Sequence, residues 1–259
     1  MTEWNPQQYL KFADERTQPS IDLAQRIRID HPASIIDLGC GPGNSTAVLR
    51  ERWPDAEIVG LDSSEEMIEQ AARDYPAGKW VVGDAACVPP DRGYDIVFSN
   101  AALQWIPDHE RLIPRLFRLV NRGGSLAVQV PANHGSPLHQ ALVTVSRSPQ
   151  WRAFTTGREG LLHYHDAEYY YSALSPIAAV VDLWETSYYH ILSFHQDLVE
   201  WYKATGMRPF LASLPDEEAR EQFQEEVLAA AKDAYPIQRD GKILYPFKRT
   251  FFIAYAAGG

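Results

Sequence analysis

The chain is short of cysteine, has no long apolar run and carries no block of positive charge. Each shortage excludes something. Two cysteines in 259 residues, Cys40 and Cys87, cannot supply a disulfide framework. The opening segment MTEWNPQQYLKF lacks a basic stretch followed by an apolar one, so no secretory signal is read there. The expectation is a cytoplasmic chain with reduced thiols. No run of 18 apolar residues occurs, so no membrane-spanning helix is expected. Lys and Arg number 24 against 34 Asp and Glu, giving a net charge of −10 and a pI near 5.3. With no basic patch, nucleic acid is not the expected partner, and a small molecule is. The oligomeric state is not legible.

What is present is a 45% hydrophobic chain, enough for one sizeable core with additions. From residue 34 to 131 two patterns alternate. SIIDLG, EIVGLD, KWVVGDA, YDIVFSNAAL and SLAVQVP read as buried strands. GNSTAVLRERW, SSEEMIEQAARDY and HERLIPRLFRLV read as helices: Asn44 or Ser45 is the expected cap of the first, Pro114 interrupts the third and Gly123–Gly124 ends it. This rhythm predicts a doubly wound α/β sheet, Rossmann-like and mostly parallel. Beyond Pro131 the rhythm changes. A helix is expected over 137–148, irregular or short helical structure over 149–176, and a long strand over 178–192. Two helices follow, HQDLVEWYKAT and PDEEAREQFQEEVLAAAKDAY, and KRTFFIAYAAG is the closing strand, antiparallel to the rest. The expected division is an N-terminal arm (1–33), a binding core (34–131) and a helical lid with the last two of seven strands (132–259).

The chemistry starts at IIDLGCGPGNST. Glycines at 39, 41 and 43 permit positive φ and let a ligand approach the backbone. A nucleotide triphosphate, a dinucleotide and an S-adenosyl group are the candidates. A phosphate loop needs Gly-Lys-Ser/Thr, and the chain has Gly43–Asn44–Ser45. A dinucleotide turn is spaced G-x-G-x-x-G, whereas this one is G-x-G-x-G behind Asp37. That acid repels a pyrophosphate and attracts an amino group. Asp62 closes the second strand, where an acid accepts from both ribose hydroxyls; Asp84 follows the third and Asn100 ends the fourth. Any one such Asp is more often a helix cap. Cys40 in the turn reads as a small residue that fits, rather than a nucleophile.

In this order, the glycine turn, the acids and Asn100 resemble the class I S-adenosylmethionine-dependent methyltransferases. The blocks WNPQQYLKFADERTQPSIDLA, DLGCGPGNSTAVLRERWP, SNAALQWIPDH, TSYYHIL, TGMRPFL and YPFKRTFFIA narrow the resemblance to the trans-aconitate 2-methyltransferase family, and they spread over the whole chain. The resemblance implies S-adenosylmethionine as methyl donor and a carboxylate of trans-aconitate as acceptor. Asp37, Gly39, Gly41 and Gly43 would hold the methionyl end, with Asn100 and Ala101 nearby. Asp62 would take the ribose, and Asp84 and Ala85 the adenine. Tyr9, Phe12 and Arg16 would close over the donor. Cys40, Asn44, Ser63, Met67 and Trp105 complete the implied donor pocket.

A carboxylate acceptor is already ionised at neutral pH, so no general base is required and no acid–base residue is assigned. The acceptor is a trianion, so local cations are needed against an acidic chain. Arg208, Arg249, Lys248 and Arg16 are the candidates, arginine being the better match to carboxylate geometry. Arg208 reads as a loop residue between Gly206 and Pro209. Tyr188, Tyr189 and His190 could add donors, and Trp105 or Trp201 could line the pocket. Methylation of another acid, a hydroxyl or a ring carbon stays open; for the last two, His190 or His195 would be the base. His163–Asp166, HYHD, has metal-like composition but no third ligand is identifiable. A nicotinamide oxidoreductase is disfavoured, since Tyr169, Tyr170 and Tyr171 have no lysine four residues on. A non-catalytic donor-binding regulator would be expected to have lost donor residues that are all here.

Overall fold

The structure is a computed structural model that describes residues 13–90, 92–163, 165–203 and 205–258, with side chains from residue 17 onward. Seven strands form one sheet: β1 (Ser34–Leu38), β2 (Glu57–Asp62), β3 (Lys79–Val82), β4 (Tyr94–Asn100), β5 (Val120–Pro131), β6 (Val180–Leu192) and β7 (Ile243–Tyr255). Their order is β3-β2-β1-β4-β5-β7-β6. The pairs from β3 to β5 are parallel, and β7 runs antiparallel to both β5 and β6. The chain moves outward from β1 to β3 and returns to place β4 on β1's other side. That reversal opens a crevice beyond the carboxyl ends of β1 and β4, where such sheets bind ligands.

Both faces of the sheet are covered, which is why the central strands read as unbroken apolar runs. On one face Leu23 of α1 (Ala13–Arg26), Ile27 just after it and Leu49 of α2 (Asn44–Arg52) pack on Ile35, Phe98 and Phe251. Arg26 fastens α1 to the sheet's far edge, with Nε and Nη2 on the two oxygens of Asp182 at 2.9 and 2.8 Å. On the other face α4 (His109–Phe117) and α7 (Ala167–Leu174) cover Val97, Leu126 and Phe252. Helix α3 (Glu65–Asp74) starts where expected, with Ser64 Oγ accepting from Met67 N–H at 3.2 Å.

A third core lies beyond the sheet's carboxyl edge. Strand β5 ends at Pro131, opposite Arg249, while β6 and β7 pair on from Ser187↔Lys248 to Leu192↔Ile243. This two-stranded ribbon rises past the crevice. Four helices pack on it: α5 (Pro137–Ser146), α8 (Gln196–Lys203), the short α9 (Arg208–Leu211) and α10 (Glu217–Ala231), with Trp201, Phe210 and Phe223 buried between them. A short helix α6 (Arg152–Thr155) links α5 to the segment before α7. No helix among the described residues is long and apolar enough to cross a membrane.

Several local expectations are corrected. Gly123 and Gly124 do not end a helix; α4 stops at Phe117 and both glycines lie within β5, where the ladder to β4 slips between Tyr94 and Ile96. Gly123 has φ +74°, and a Cβ on Gly124 would lie 2.6 Å from the Asp95 carbonyl, so the pair serves this irregularity. Neither Asn44 nor Ser45 caps α2; the N-cap is Gly43, with no side-chain bond, because Ser45 is used elsewhere. Strand β7 begins five residues before the predicted segment, at Ile243. Arg208 is the first residue of α9 rather than a loop residue. His163 and His165 lie between helices, and Asp166 caps α7 by accepting from Tyr169 N–H.

Candidate active site

The three turn glycines have positive φ for different reasons. Gly39 has φ +71°, and a Cβ there would sit 2.2 Å from Ala102 Cβ. Gly43 has φ +96° and is closed in by Trp80 and Tyr75. Gly41 has φ +54°, and none of the described residues lies within 4 Å of where a Cβ would be. The turn is held to β2 by Gly39 and Cys40 N–H groups on Leu61 O and by Gly41 N–H on Asp62 Oδ2 at 2.9 Å.

Asp37 is fully buried beneath this turn. Its Oδ2 accepts from Ser45 Oγ at 2.6 Å and Thr46 Oγ1 at 2.7 Å, while Oδ1 has no partner among the described residues. Burial pushes its carboxyl up to about 6, against the pull of the two hydroxyls, and nearby Asp62 adds to the rise. A buried carboxylate oxygen with nothing to accept from is a place prepared for a cationic donor group. Asp62 lies half-buried, with Oδ1 accepting from Ser64 N–H at 2.9 Å; burial raises its pKa, and backbone N–H groups oppose the rise. Cys40 is buried, and burial followed by the charges of Asp37 and Asp62 drives its thiol pKa far up, so it is no nucleophile.

The remaining predicted donor residues lie along the same edge. Ser63 and buried Met67 follow Asp62, and Asn44 opens α2. Asp84 is exposed and caps a helical turn, Oδ1 accepting from Ala86 N–H at 2.8 Å, with Ala85 buried behind it. Asn100 Oδ1 is buried without a partner among the described residues. Ala101 has φ +54°; its N–H donates to Gln129 O at 3.0 Å and its carbonyl accepts from Gln104 Nε2 at 2.7 Å. Tyr9 and Phe12 lie outside the described residues, as does the side chain of Arg16.

Beyond this edge the fold joins two of the residues predicted for the acceptor from distant segments. Arg208 Cζ lies 4.8 Å from the Trp105 ring centroid. The guanidinium is half-buried, and burial lowers its pKa. Arg249 is buried on β7, donating Nη1 to Gln129 Oε1 at 3.1 Å between the rings of Phe247 and Tyr188. Lys248 points to the opposite face and pairs with Glu185 at 2.7 Å. Tyr189 also faces away: strand alternation separates it from Tyr188 and His190 and leaves it 64% exposed, so the structure does not bring it to the arginines. His190 is buried 4.0 Å from the Trp201 ring, and Trp201 belongs to the helical core. His195 Nε2 is engaged by the Tyr235 carbonyl at 2.8 Å. His163 and His165 gather around buried His109, whose Nδ1 meets Tyr170 OH and Nε2 meets Leu103 O. No group of three or more potential ligands among the described residues is placed to hold a metal.

Sequence reading passed over Gln104 and Gln129. The signal for Gln129 is a single amide within the apolar run LAVQVP.

The comparisons agree with this geometry. A family model described as a methyltransferase domain matches residues 35–124. Among solved structures, the YcgJ protein from Bacillus subtilis superimposes with a TM-score of 0.60 at 16% identity, over 93% of this chain and all of that one. Haemonchus contortus phosphoethanolamine N-methyltransferase 2, in complex with S-adenosyl-L-methionine, gives 0.56 at 14% identity, over 93% of this chain and 52% of that one. Both share the fold. A trans-aconitate 2-methyltransferase from Methylobacterium radiotolerans is 44% identical, covering 98% of each chain. Those from Azoarcus sp. and Escherichia coli O157:H7 are 42% and 41% identical, over 98% of this chain and 99% and 98% of theirs. At that identity over almost the whole length, the chain belongs to the trans-aconitate 2-methyltransferase family.

Proposed function

We propose that this protein transfers the methyl group of S-adenosylmethionine to one carboxylate of trans-aconitate, giving its monomethyl ester and S-adenosylhomocysteine. One observation carries the reading: Asp37 and Asn100 present buried acceptor atoms without partners among the described residues, and the strand beside Asn100 leads to Gln129 and the Arg249 guanidinium.

Bound S-adenosylmethionine supplies a methyl group on a sulfonium, poised for displacement. In this reading Asp37 and Asn100 hold the methionyl ammonium. Asp62 takes the ribose hydroxyls with the lone pairs that Gly41 and Ser64 leave over. Arg208 and Arg249 hold the acceptor's anionic groups. The acceptor carboxylate is the nucleophile and needs no base, so these residues contribute alignment and a dry crevice. An anion meets a cation and charge disappears, so expelling water favours the transition state. The helices of 132–259 that pack on the β6–β7 ribbon would act as the lid that expels it.

The test is S-adenosylhomocysteine release from the purified protein with S-adenosylmethionine and a panel of di- and tricarboxylates. Turnover with trans-aconitate far above cis-aconitate, citrate and isocitrate is expected. Donor binding with turnover only on a hydroxyl or ring-carbon acceptor would overturn the substrate assignment.

A further inference from the structure

The strand registers set one row of side chains along the carboxyl edge of the sheet. Asp37 lies beside Phe98, Asn100 beside Gln129, Gln129 beside Phe251, and Pro131 beside Arg249. Register partners share a face, as do residues two apart on a strand. Asp37, Asn100, Gln129 and Arg249 therefore line the same face, although they come from four strands.

The polarity of this row inverts partway along. Asp37 Oδ1 and Asn100 Oδ1 are acceptors without partners among the described residues. Next to Asn100, Gln129 presents the opposite: its Nε2 is a donor without a partner among the described residues, on a side chain with no exposed surface. Arg249 Nη1 donates to Gln129 Oε1, which fixes the amide's orientation and leaves the NH2 as its free pole. Asn133, two residues past Pro131 and 2% exposed, likewise has unpartnered Oδ1 and Nδ2 among the described residues. The ladder runs on toward it through Ala132 N–H to Lys248 O at 2.9 Å. Buried donors left unsatisfied carry a desolvation penalty that a bound acceptor relieves. Acceptor atoms suit the cationic pole of the methyl donor, and the adjoining donors suit an anion beside it.

Resting on the function proposed above, we infer that Gln129 is a specificity residue of the acceptor pocket: its Nε2, together with the Arg249 guanidinium that orients it, takes an acceptor carboxylate that is not methylated. The amide adds directionality without charge. A glutamate at this position would keep an acceptor toward Arg249, abolish the donor and give the guanidinium an internal anion in place of the substrate's.

The experiment uses Gln129→Glu and Gln129→Met in the full chain. Measured are kcat and KM with trans-aconitate, and calorimetric binding of trans-aconitate and citrate to the protein saturated with S-adenosylhomocysteine. The melting temperature and S-adenosylhomocysteine affinity report folding. Both variants are expected to raise KM and the tricarboxylate Kd by about tenfold or more, Glu more than Met, with S-adenosylhomocysteine binding held within about twofold. Methionine matches the length of glutamine, so it tests the amide if the glutamate variant fails to fold. Folded variants that bind tricarboxylates as the wild type does would overturn the inference. A wild type that binds tricarboxylates in a Gln129-dependent way without methylating trans-aconitate would support the inference while sinking the substrate reading. A wild type that binds no polycarboxylate would overturn both.

Discussion

The Arg208 guanidinium rests over the Trp105 ring with Cζ 4.8 Å from its centroid, tying the helices inserted between β6 and β7 to the segment that leaves β4. One residue comes from those helices and the other from the edge of the crevice beyond β4. An anion bound to Arg208 would therefore sit where these helices and the sheet meet. Half-burial strengthens a charge-assisted hydrogen bond there relative to open solvent.

Arg208→Ala should raise KM for trans-aconitate by about 10- to 100-fold, the loss of one charged hydrogen-bonding group. Arg208→Lys should recover part of this, because lysine restores the charge but not the fork. Steady-state kinetics with S-adenosylhomocysteine binding as control checks it. An unchanged KM would remove Arg208 from the acceptor site.

Donor binding should depend on the state of Asp37. Its pKa in the donor-free fold is about 6 against an ordinary 3.8. A cationic ammonium binds the ionised form, so affinity for S-adenosylhomocysteine should fall about tenfold per pH unit below that value and level off above it. Asp37→Asn should flatten the slope and weaken binding at neutral pH. The stability of the donor-free fold runs the other way. A carboxyl whose folded pKa is raised contributes fully below its unfolded pKa, and the contribution is lost as pH rises through the folded one. Melting temperatures with and without ligand across this range separate the two effects.

Two glycine substitutions should part company. Gly39→Ala drives a Cβ to 2.2 Å from Ala102 Cβ at positive φ, so it should cost several kcal/mol, on the order of ~3, and lower the melting temperature. Gly41→Ala meets none of the described residues within 4 Å, so the φ cost of about 1 kcal/mol is what falls on stability. In the proposed function its methyl group would occupy space taken by the donor. Calorimetry should therefore find the larger loss of S-adenosylhomocysteine affinity, relative to stability lost, in Gly41→Ala.

Ester formation needs no imidazole base. His195→Asn should leave the pH–rate profile above neutrality unchanged, since its Nε2 is committed to the Tyr235 carbonyl. A new or vanished limb in that profile would favour a hydroxyl or ring-carbon acceptor.

The parallel core was legible because its signals are local. Apolar runs such as SIIDL mark strands buried on both faces, Ser64 caps a helix, and glycines at every second position announce a tight turn. Asp37, Asp62 and Asn100 could be placed at strand ends from the same rhythm. Gly123 and Gly124 misled because glycine ends a helix and loosens a strand equally well, and only the slipped register beside Asp95 distinguishes them.

By itself the sequence determined the α/β winding, the glycine turn and the acids around it, since each depends on residues within one or two turns of chain. Tertiary structure decided the side proposed for the acceptor. Gln129 and Arg249 meet across 120 positions of sequence, and Arg208 reaches Trp105 only because an insertion folds back over the sheet. It also decided which way the ribbon's side chains point, turning Arg249 and His190 inward and Tyr189 out. Strand pairing between remote segments fixes such facing, and a register one residue different would have reversed it.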